Sequence, residues 1–477
     1  MKIFLVIIFS LIFLAAKTQN YIVKDIKSFG AKGDGKTNDQ DAFEKAAGYF
    51  NQRGGNGKLI ISTGIYLVGR QTFTGGKKNK PAYSGEDVLH LNNITNFSIE
   101  GQNGNLIKYI NGLYFGAFDS ASGKVYNHGN NFFVNFTHAA TIGDCILIQN
   151  CSNISIVGVT MDGNSDNIKL GGVYGDVGIQ LPHYGIFISN SKHIQIDNIY
   201  VHHFALDGIA ISNILSTSPD SIYITNSDFE YNGRQGFSWT GGNQVYVKNC
   251  KFNHTGKGKI SSAPGAGIDI ESEVGPITNG FFDNCEFINN TGCGLLALAG
   301  NSMNCTFSNC VFIGSTNRAI WISKPNFIFQ NCNIYGSYLQ NSDANNSNNG
   351  TKFVQCNFED TVYNGSPTYG LYLIESWNEK GMSFDNCTFI SKIKKLCRFI
   401  NPENYTINDK YQFLNCTFNI KNRNLNNNDF AGVIQGATLK NCHFVFTDPV
   451  AAAKKYYIQG LDGKSNNDLG GNKVIFR

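Results

Sequence analysis

The chain is poor in charge. Charged residues make up 16% of its 477 positions, against ~25% in an average soluble domain. The 39 basic and 35 acidic residues leave a net charge of +4, and they are scattered. No Lys/Arg-rich block occurs, which argues against nucleic acid as a partner. Proline is scarce too, with 9 residues beside 52 glycines, so the chain turns through Gly and Asn. No apolar run reaches the ~18 residues of a membrane span. No His/Cys group has metal-ligand spacing along the chain. No Gly-rich loop follows a strand and opens a helix as a phosphate cradle would. What remains is 42% hydrophobic and 13% aromatic residues, enough for a large core and against global disorder.

The N-terminus has the form of an export signal. Lys2 precedes an apolar run over 3–16, too short to cross a bilayer. Ala16-Lys17-Thr18 resembles a cleavage site. The expectation is a signal peptide over 1–19 and a mature domain over 20–477. That domain would be secreted, periplasmic or extracellular, with no membrane association after cleavage.

Thirteen Cys in an exported chain would ordinarily suggest disulfides. Here most of them sit in one repeated phrase. Asn249-Cys250-Lys251-Phe252, Asn284-Cys285-Glu286-Phe287 and Asn309-Cys310-Val311-Phe312 are three copies. The phrase continues at Cys332, Cys356, Cys387, Cys416 and Cys442. Degenerate copies precede it, such as Asn226-Ser227-Asp228-Phe229. A period of ~20–35 residues is the signature of a solenoid. Each repeat also holds short alternating strands after a Gly or Ala, such as Ile209 to Ser212 and Ile268 to Glu271. Helical periodicity is absent from them. Short strands that bury their faces only by stacking describe an all-β, single-chain parallel β-helix. The stacked Asn should form a hydrogen-bonded ladder at one turn in left-handed backbone. The Cys beside them should be buried, reduced and stacked.

One segment differs. Over 39–50, Ala42, Phe43, Ala46, Ala47 and Phe50 share a helical face, with Asn38 as N-cap. This helix is expected to cap the open end of the stack, within a cap region 20–62.

The opening Phe29-Gly-Ala-Lys-Gly-Asp-Gly-Lys-Thr-Asn-Asp39, then Ala42-Phe43 and Gly64-Ile65-Tyr66, resembles the start of pectate-lyase superfamily proteins. These are right-handed β-helices that include polygalacturonase-type hydrolases, alginate epimerases and phage tailspikes. The resemblance covers residues 22–70 and implies that fold and a polysaccharide substrate. The catalytic phrases of the polygalacturonases are absent, so it leaves the reaction open.

Two clusters carry candidate chemistry. In Ile268-Asp269-Ile270-Glu271 the acids face away from the core. Residues two apart on a strand are ~6.7 Å apart on one face, which suits the two carboxyls of an inverting glycosidase. Glu273 extends the acidic row. Outward on its own strand two coils away, Trp321 offers a stacking platform, with Arg318 and Lys324 to hold an anionic sugar. Phe187 and Tyr372 would extend that line. The second cluster lies in the turns before these strands. Coil alignment puts Asp162, His202, Glu230 and Asn253 at one level, and His203, Tyr231 and His254 at the next, with Asp207 and Arg234 beside them. A His or Tyr near an Arg suits β-elimination or epimerisation of a uronate. His183 reads as a surface loop residue. No cofactor or metal is expected, although Asp-rich turns offer hard oxygen ligands to Ca2+.

The leading expectation is a secreted polysaccharide-cleaving enzyme, with hydrolysis ahead of elimination. The alternatives are a lyase or uronate epimerase, and a non-catalytic glycan-binding β-helix. Specificity would lie in loops such as 171–181 and 340–350. Whether the chain acts as a monomer or a homo-oligomer stays open.

Overall fold

The computed structural model describes residues 20–127, 135–175, 179–214, 219–341, 349–377, 382–400, 411–421, 430–447, 458–461 and 466–477. The expected signal segment 1–19 lies outside them, as do parts of both loops named above.

Each coil contributes three short strands. One full coil reads Asp207–Ser212, Ile222–Thr225 and Asp228–Glu230, after which the chain re-enters with Gln235–Lys248. Corresponding strands of successive coils pair in parallel. They build three long sheets, named here first, second and third in the order of that coil. Alternation follows the pleat, so Ile186, Ile209, Phe237, Ile268, Leu295 and Ile320 stack inward from the first sheet with no exposure. The expected parallel β-helix is what forms.

Two columns of phenylalanine fill the interior of the later coils. In the second sheet Phe282, Phe307, Phe329, Phe353, Phe384 and Phe413 stack with ring centroids 4.5–5.2 Å apart. In the third, Phe358, Phe389, Phe418 and Phe444 stack at 4.6–4.9 Å. Each buried ring contributes ~1.5–3 kcal/mol by transfer from water, and stacked pairs add ~0.5–1.5.

The turn between second and third sheets holds the repeated Asn. Asn226, Asn249, Asn284, Asn309 and Asn331 all adopt left-handed backbone, with φ of 50–55°. The Nδ2 of Asn249 donates to Asn226 Oδ1 at 2.9 Å, and that of Asn284 to Asn249 Oδ1 at 2.9 Å. At Asn309 the acceptor becomes Asp283, at 2.8 Å. The adjoining cysteines point inward, and all thirteen are buried and free. Their thiols point at backbone carbonyls, as Cys332 does toward Phe307 and Gln330, both at 3.4 Å.

Helix α1 (Gln40–Gln52) occupies the place of the missing first-sheet strand in the opening coil. Its buried face comprises Ala42, Phe43, Ala46, Ala47 and Phe50, as expected. Asn51 bonds the backbone of the first strand of that sheet, donating to His90 O at 2.7 Å and accepting from Asn92 N at 3.0 Å. The helix thus covers both the core and an open strand edge. Asn38 Oδ1 accepts from Gln40 N at 3.0 Å. The residue at the N-cap position is Asp39, whose carboxylate instead accepts from Lys32 N and Gly33 N at 2.7 and 3.0 Å. That bond closes the glycine-rich opening. A Cβ on Gly33, at φ 61°, would lie 2.8 Å from the Tyr66 ring. Strand stacking starts ahead of the helix, where Ile22–Asp25 pairs with Gly55–Ile61 in the second sheet.

In the early coils the return from third to first sheet is long. These excursions build a satellite five-stranded sheet from Gln71–Phe73, Tyr83–Gly85, Tyr114–Ala117, Ala139–Ala140 and Lys169–Leu170. Later returns are tied to it. Lys259 Nζ donates to Ile168 O at 2.8 Å, and Gln180 Nε2 to Ala263 O at 3.3 Å. These returns are thus joined to one another across the corner between third and first sheets.

Candidate functional site

The outward row of the first sheet runs Phe187, Ala210, Ser238, Asp269, Leu296, Trp321, Leu339 and Glu375. Asp269 lies where the alternation places it, between inward Ile268 and Ile270. It is not the solvated strand-face acid that the sequence suggests, because only 3% of it is exposed, as for its neighbour Ser238. Its Oδ2 accepts from Gln235 Nε2 at 2.7 Å. Burial above all, with the charge of Glu271, pushes its carboxyl up to about 7 against the opposing pull of Gln235 and Arg234. Glu271 follows directly after the strand and is half-buried, with its N–H on Trp239 O at 3.0 Å. Glu273 is exposed in the loop beyond.

Arg234 does not serve as a free cation. Its Nε and Nη2 donate to the two carboxylate oxygens of Asp207 at 2.9 and 2.5 Å. The side chains are 16% and 0% exposed. A buried bidentate pair of this kind is matched internally, which removes the expected role of Arg234 in neutralising a uronate carboxylate. Asp207 is likewise committed to Arg234 and unsuited to be a base. Burial raises its carboxyl, and Arg234 opposes the rise.

Sequence reasoning missed the column that continues from Asp207. Asp144 is buried and accepts from Tyr184 N at 3.0 Å, while Asp87 accepts from Asp144 N at 2.9 Å. Burial, with Asp87 and Asp207 nearby, holds the Asp144 carboxyl well above the usual range. The signal was present: Asp87, Asp144 and Asp207 each stand two residues before an inward Leu or Ile, in Asp-x-(Leu/Ile)-x-(Leu/Ile). His183 is a correction as well. It is fully buried against Tyr109 and Phe204, with ring centroids 4.6 and 5.0 Å away. Its Nδ1 accepts from Ala205 N at 3.0 Å, and burial lowers its pKa to about 3.

Trp321 does face outward two coils from Asp269. The Arg318 guanidinium lies 5.0 Å from its ring centroid and 5.7 Å from that of Tyr369. Arg318 is thus engaged with the platform it was expected to flank. Lys324 is buried, with 8% exposed, rather than reaching into solvent. Phe187 belongs to the outward row, but Tyr372 does not, because Glu375 holds that register.

The third-sheet cluster assembles as coil alignment expects. Asp162 pairs with His202, His202 with Glu230 and Glu230 with Asn253. Lys108 Nζ donates to Asp162 Oδ2 at 2.6 Å. His202 Nδ1 lies 3.7 Å from Asp162 Oδ1 and 2.7 Å from His203 Nδ1. The rings of His203, Tyr231 and His254 stack at 5.2 and 4.7 Å. Burial lowers the pKa of His202, with Asp162 opposing. His254, whose Nδ1 lies 3.7 Å from Glu230 Oε1, holds Glu230 below its ordinary value. Burial, then Glu230, raises Tyr200 to about 12. Arg234 pairs with Asp207 rather than with this cluster, so Lys108 is the cation bonded within it. Asp162, His202 and His203 could hold a metal ion, each offering an atom within 4.8 Å of the others.

Residues 144–334 match the family model described as "Right handed beta helix region". The fold is a right-handed parallel β-helix, in line with the resemblance of the chain's opening. No curated protein matches it. Among solved structures it is similar to the A-module of a mannuronan C-5 epimerase from Azotobacter vinelandii, at 15% identity and a TM-score of 0.49, covering 94% of this chain and 99% of that one. It is also similar to a surface adhesin of Streptococcus pneumoniae, at 14% identity and a TM-score of 0.48, covering 84% and 92%. A tailspike protein of Pseudomonas phage LKA1 is similar at 12% identity and a TM-score of 0.43, covering 94% and 84%.

Proposed function

We propose that the chain is an exported carbohydrate-active enzyme that hydrolyses a glycosidic bond, with Asp269 as general acid and Glu271 as general base. One observation carries this reading. Asp269 faces outward on the first sheet, yet burial and the neighbouring Glu271 push its carboxyl up to about 7. A carboxyl that keeps its proton near neutral pH suits the acid role of a glycosidase and leaves the base role to Glu271. Residues two apart in extended backbone stand ~6.7 Å apart, which leaves room for the attacking water of an inverting mechanism. Substrate entry has to part the cover over Asp269. The commitment of Arg234 to Asp207 weakens the elimination or epimerisation reading, which needs that cation for a uronate carboxylate.

The test is a product profile on a panel of acidic and neutral polysaccharides. New reducing ends without the ultraviolet absorbance of an unsaturated uronate support hydrolysis. That absorbance would replace it with elimination. No product on any polymer would favour a glycan-binding role. N-terminal sequencing of the exported chain should begin near residue 20.

A further inference from the structure

We propose that Asp162, His202 and His203 form a binding site for a borderline divalent cation, Zn2+ or its analogues Co2+ and Ni2+. The site lies on the third sheet, apart from Asp269, and does not depend on the hydrolytic reading. Linear spacing hides it, because Asp162 and the two histidines come from successive coils and meet only through strand register.

The donor atoms converge. His202 Nδ1 is 2.7 Å from His203 Nδ1 and 3.7 Å from Asp162 Oδ1. Around a tetrahedral Zn2+ with ligand bonds of ~2.0–2.1 Å, donors stand ~3.3 Å apart. The two distances bracket that value, so side-chain shifts of about half an ångström would seat the ion. Without metal, two imidazole nitrogens at 2.7 Å must share one proton. Binding would release that proton to solvent and place both nitrogen lone pairs on the cation.

The surroundings hold these groups in place. Asp162 is 8% exposed. Its Oδ2 is bonded by Lys108 at 2.6 Å, and its Oδ1 takes the Asn164 N–H at 2.8 Å. Each oxygen keeps a lone pair for a ligand, Oδ1 is the one nearer His202 Nδ1, and Lys108 moderates the negative charge the carboxylate brings. His203 sits in left-handed backbone at φ 56°, and its ring stacks on Tyr231. Its distal Nε2 lies 3.8 Å from Asp166 Oδ2, the kind of carboxylate that orients a ligating imidazole. The His202 ring packs on Tyr200 at 4.4 Å. Two imidazoles and one carboxylate suit Zn2+, Co2+ or Ni2+ and disfavour Ca2+, which takes six to eight oxygens. Three protein ligands leave a fourth position open.

The experiment is calorimetric titration of the full mature chain with Zn2+, together with the visible spectrum of its Co2+ form. The expected result is one Zn2+ per chain and the d–d bands of four-coordinate, imidazole-ligated Co2+. His202→Ala and His203→Ala should each weaken binding more than ~100-fold, beyond the 10–100-fold that outer-shell changes cost. His254→Ala, in the same ring stack, should bind as wild type. Absence of binding to the wild type would overturn the proposal, as would binding that survives both alanine changes or is lost equally in His254→Ala. If the alanine variants fail to fold by thermal melting, Asp162→Asn and the wild-type Co2+ spectrum decide: octahedral, purely aqueous-type bands would overturn it.

Discussion

Coils before and after Cys250 solve the same packing problem differently. After it, the interior repeats almost without change: a left-handed Asn or Gln, a buried Cys and a stacked Phe. Before it, the Cys position is Val159, Ile199 or Ser227, and the third-sheet interior is Met161, Val201 and Phe229. Ser227 bonds backbone directly, its Oγ accepting from Ile199 N at 3.2 Å. Long returns leave the early coils and fold over the corner that holds Asp144, Asp207, His202 and His203. Asp269 lies one coil beyond the boundary, bonded to Gln235. The comparison teaches that the regular coils supply stability, while chemistry gathers where the repeat is interrupted.

The first way to break this contrast is to disable the proposed acid and base. Asp269→Asn or Glu271→Gln should lower turnover by ~10²–10⁴-fold, the usual worth of general acid–base help. Steady-state rates on the cleaved polysaccharide check it, and near-wild-type rates would move the site elsewhere. In the regular coils, Phe358→Ala should cost ~3–5 kcal/mol of stability, as for other buried aromatics, read from the denaturant midpoint. Phe358 has no exposure and stacks on Phe389 at 4.9 Å.

The pH dependence of stability separates the two regions next. The folded pKa of Asp269 is raised from 3.8 to about 7. The native state then binds more protons than the unfolded chain between those values. Its favourable contribution to folding is complete below 3.8 and is lost as pH rises through about 7. Asp269→Asn should flatten that part of the stability–pH curve, whereas Phe358→Ala should shift the curve without changing its slope. The smallest effect is expected from Trp321→Ala. One neighbour of its ring is already Arg318, so substrate affinity should change by ~1 kcal/mol or less.

Much of this architecture is legible in the residues. The Asn-Cys-x-Phe phrase repeats at coil period, so it announces stacking, the Asn ladder and the inward thiols together. The apolar face of α1 is equally plain, because Phe43 and Phe50 have no polar alternative. Sites were harder to read. Register brings Asp162 and His202 together, and alignment of the repeats recovers that. Burial is another matter, since nothing in Ile268-Asp269-Ile270 says that Asp269 will be 3% exposed. The same gap made His183 look like a surface residue and Arg234 a free cation. Long-range cover decides the charge state of these groups, and single-strand patterns do not encode it.

The most direct test needs no substrate. Infrared difference spectra of wild type minus Asp269→Asn, recorded across pH 4 to 9, isolate the carbonyl band of one protonated carboxyl. A band that persists at pH 6 and disappears with an apparent pKa near 7 is the predicted result. A carboxyl already ionised at pH 5, titrating near the ordinary ~3.9 of Asp, would contradict Asp269 as the acid and with it the proposed division of roles.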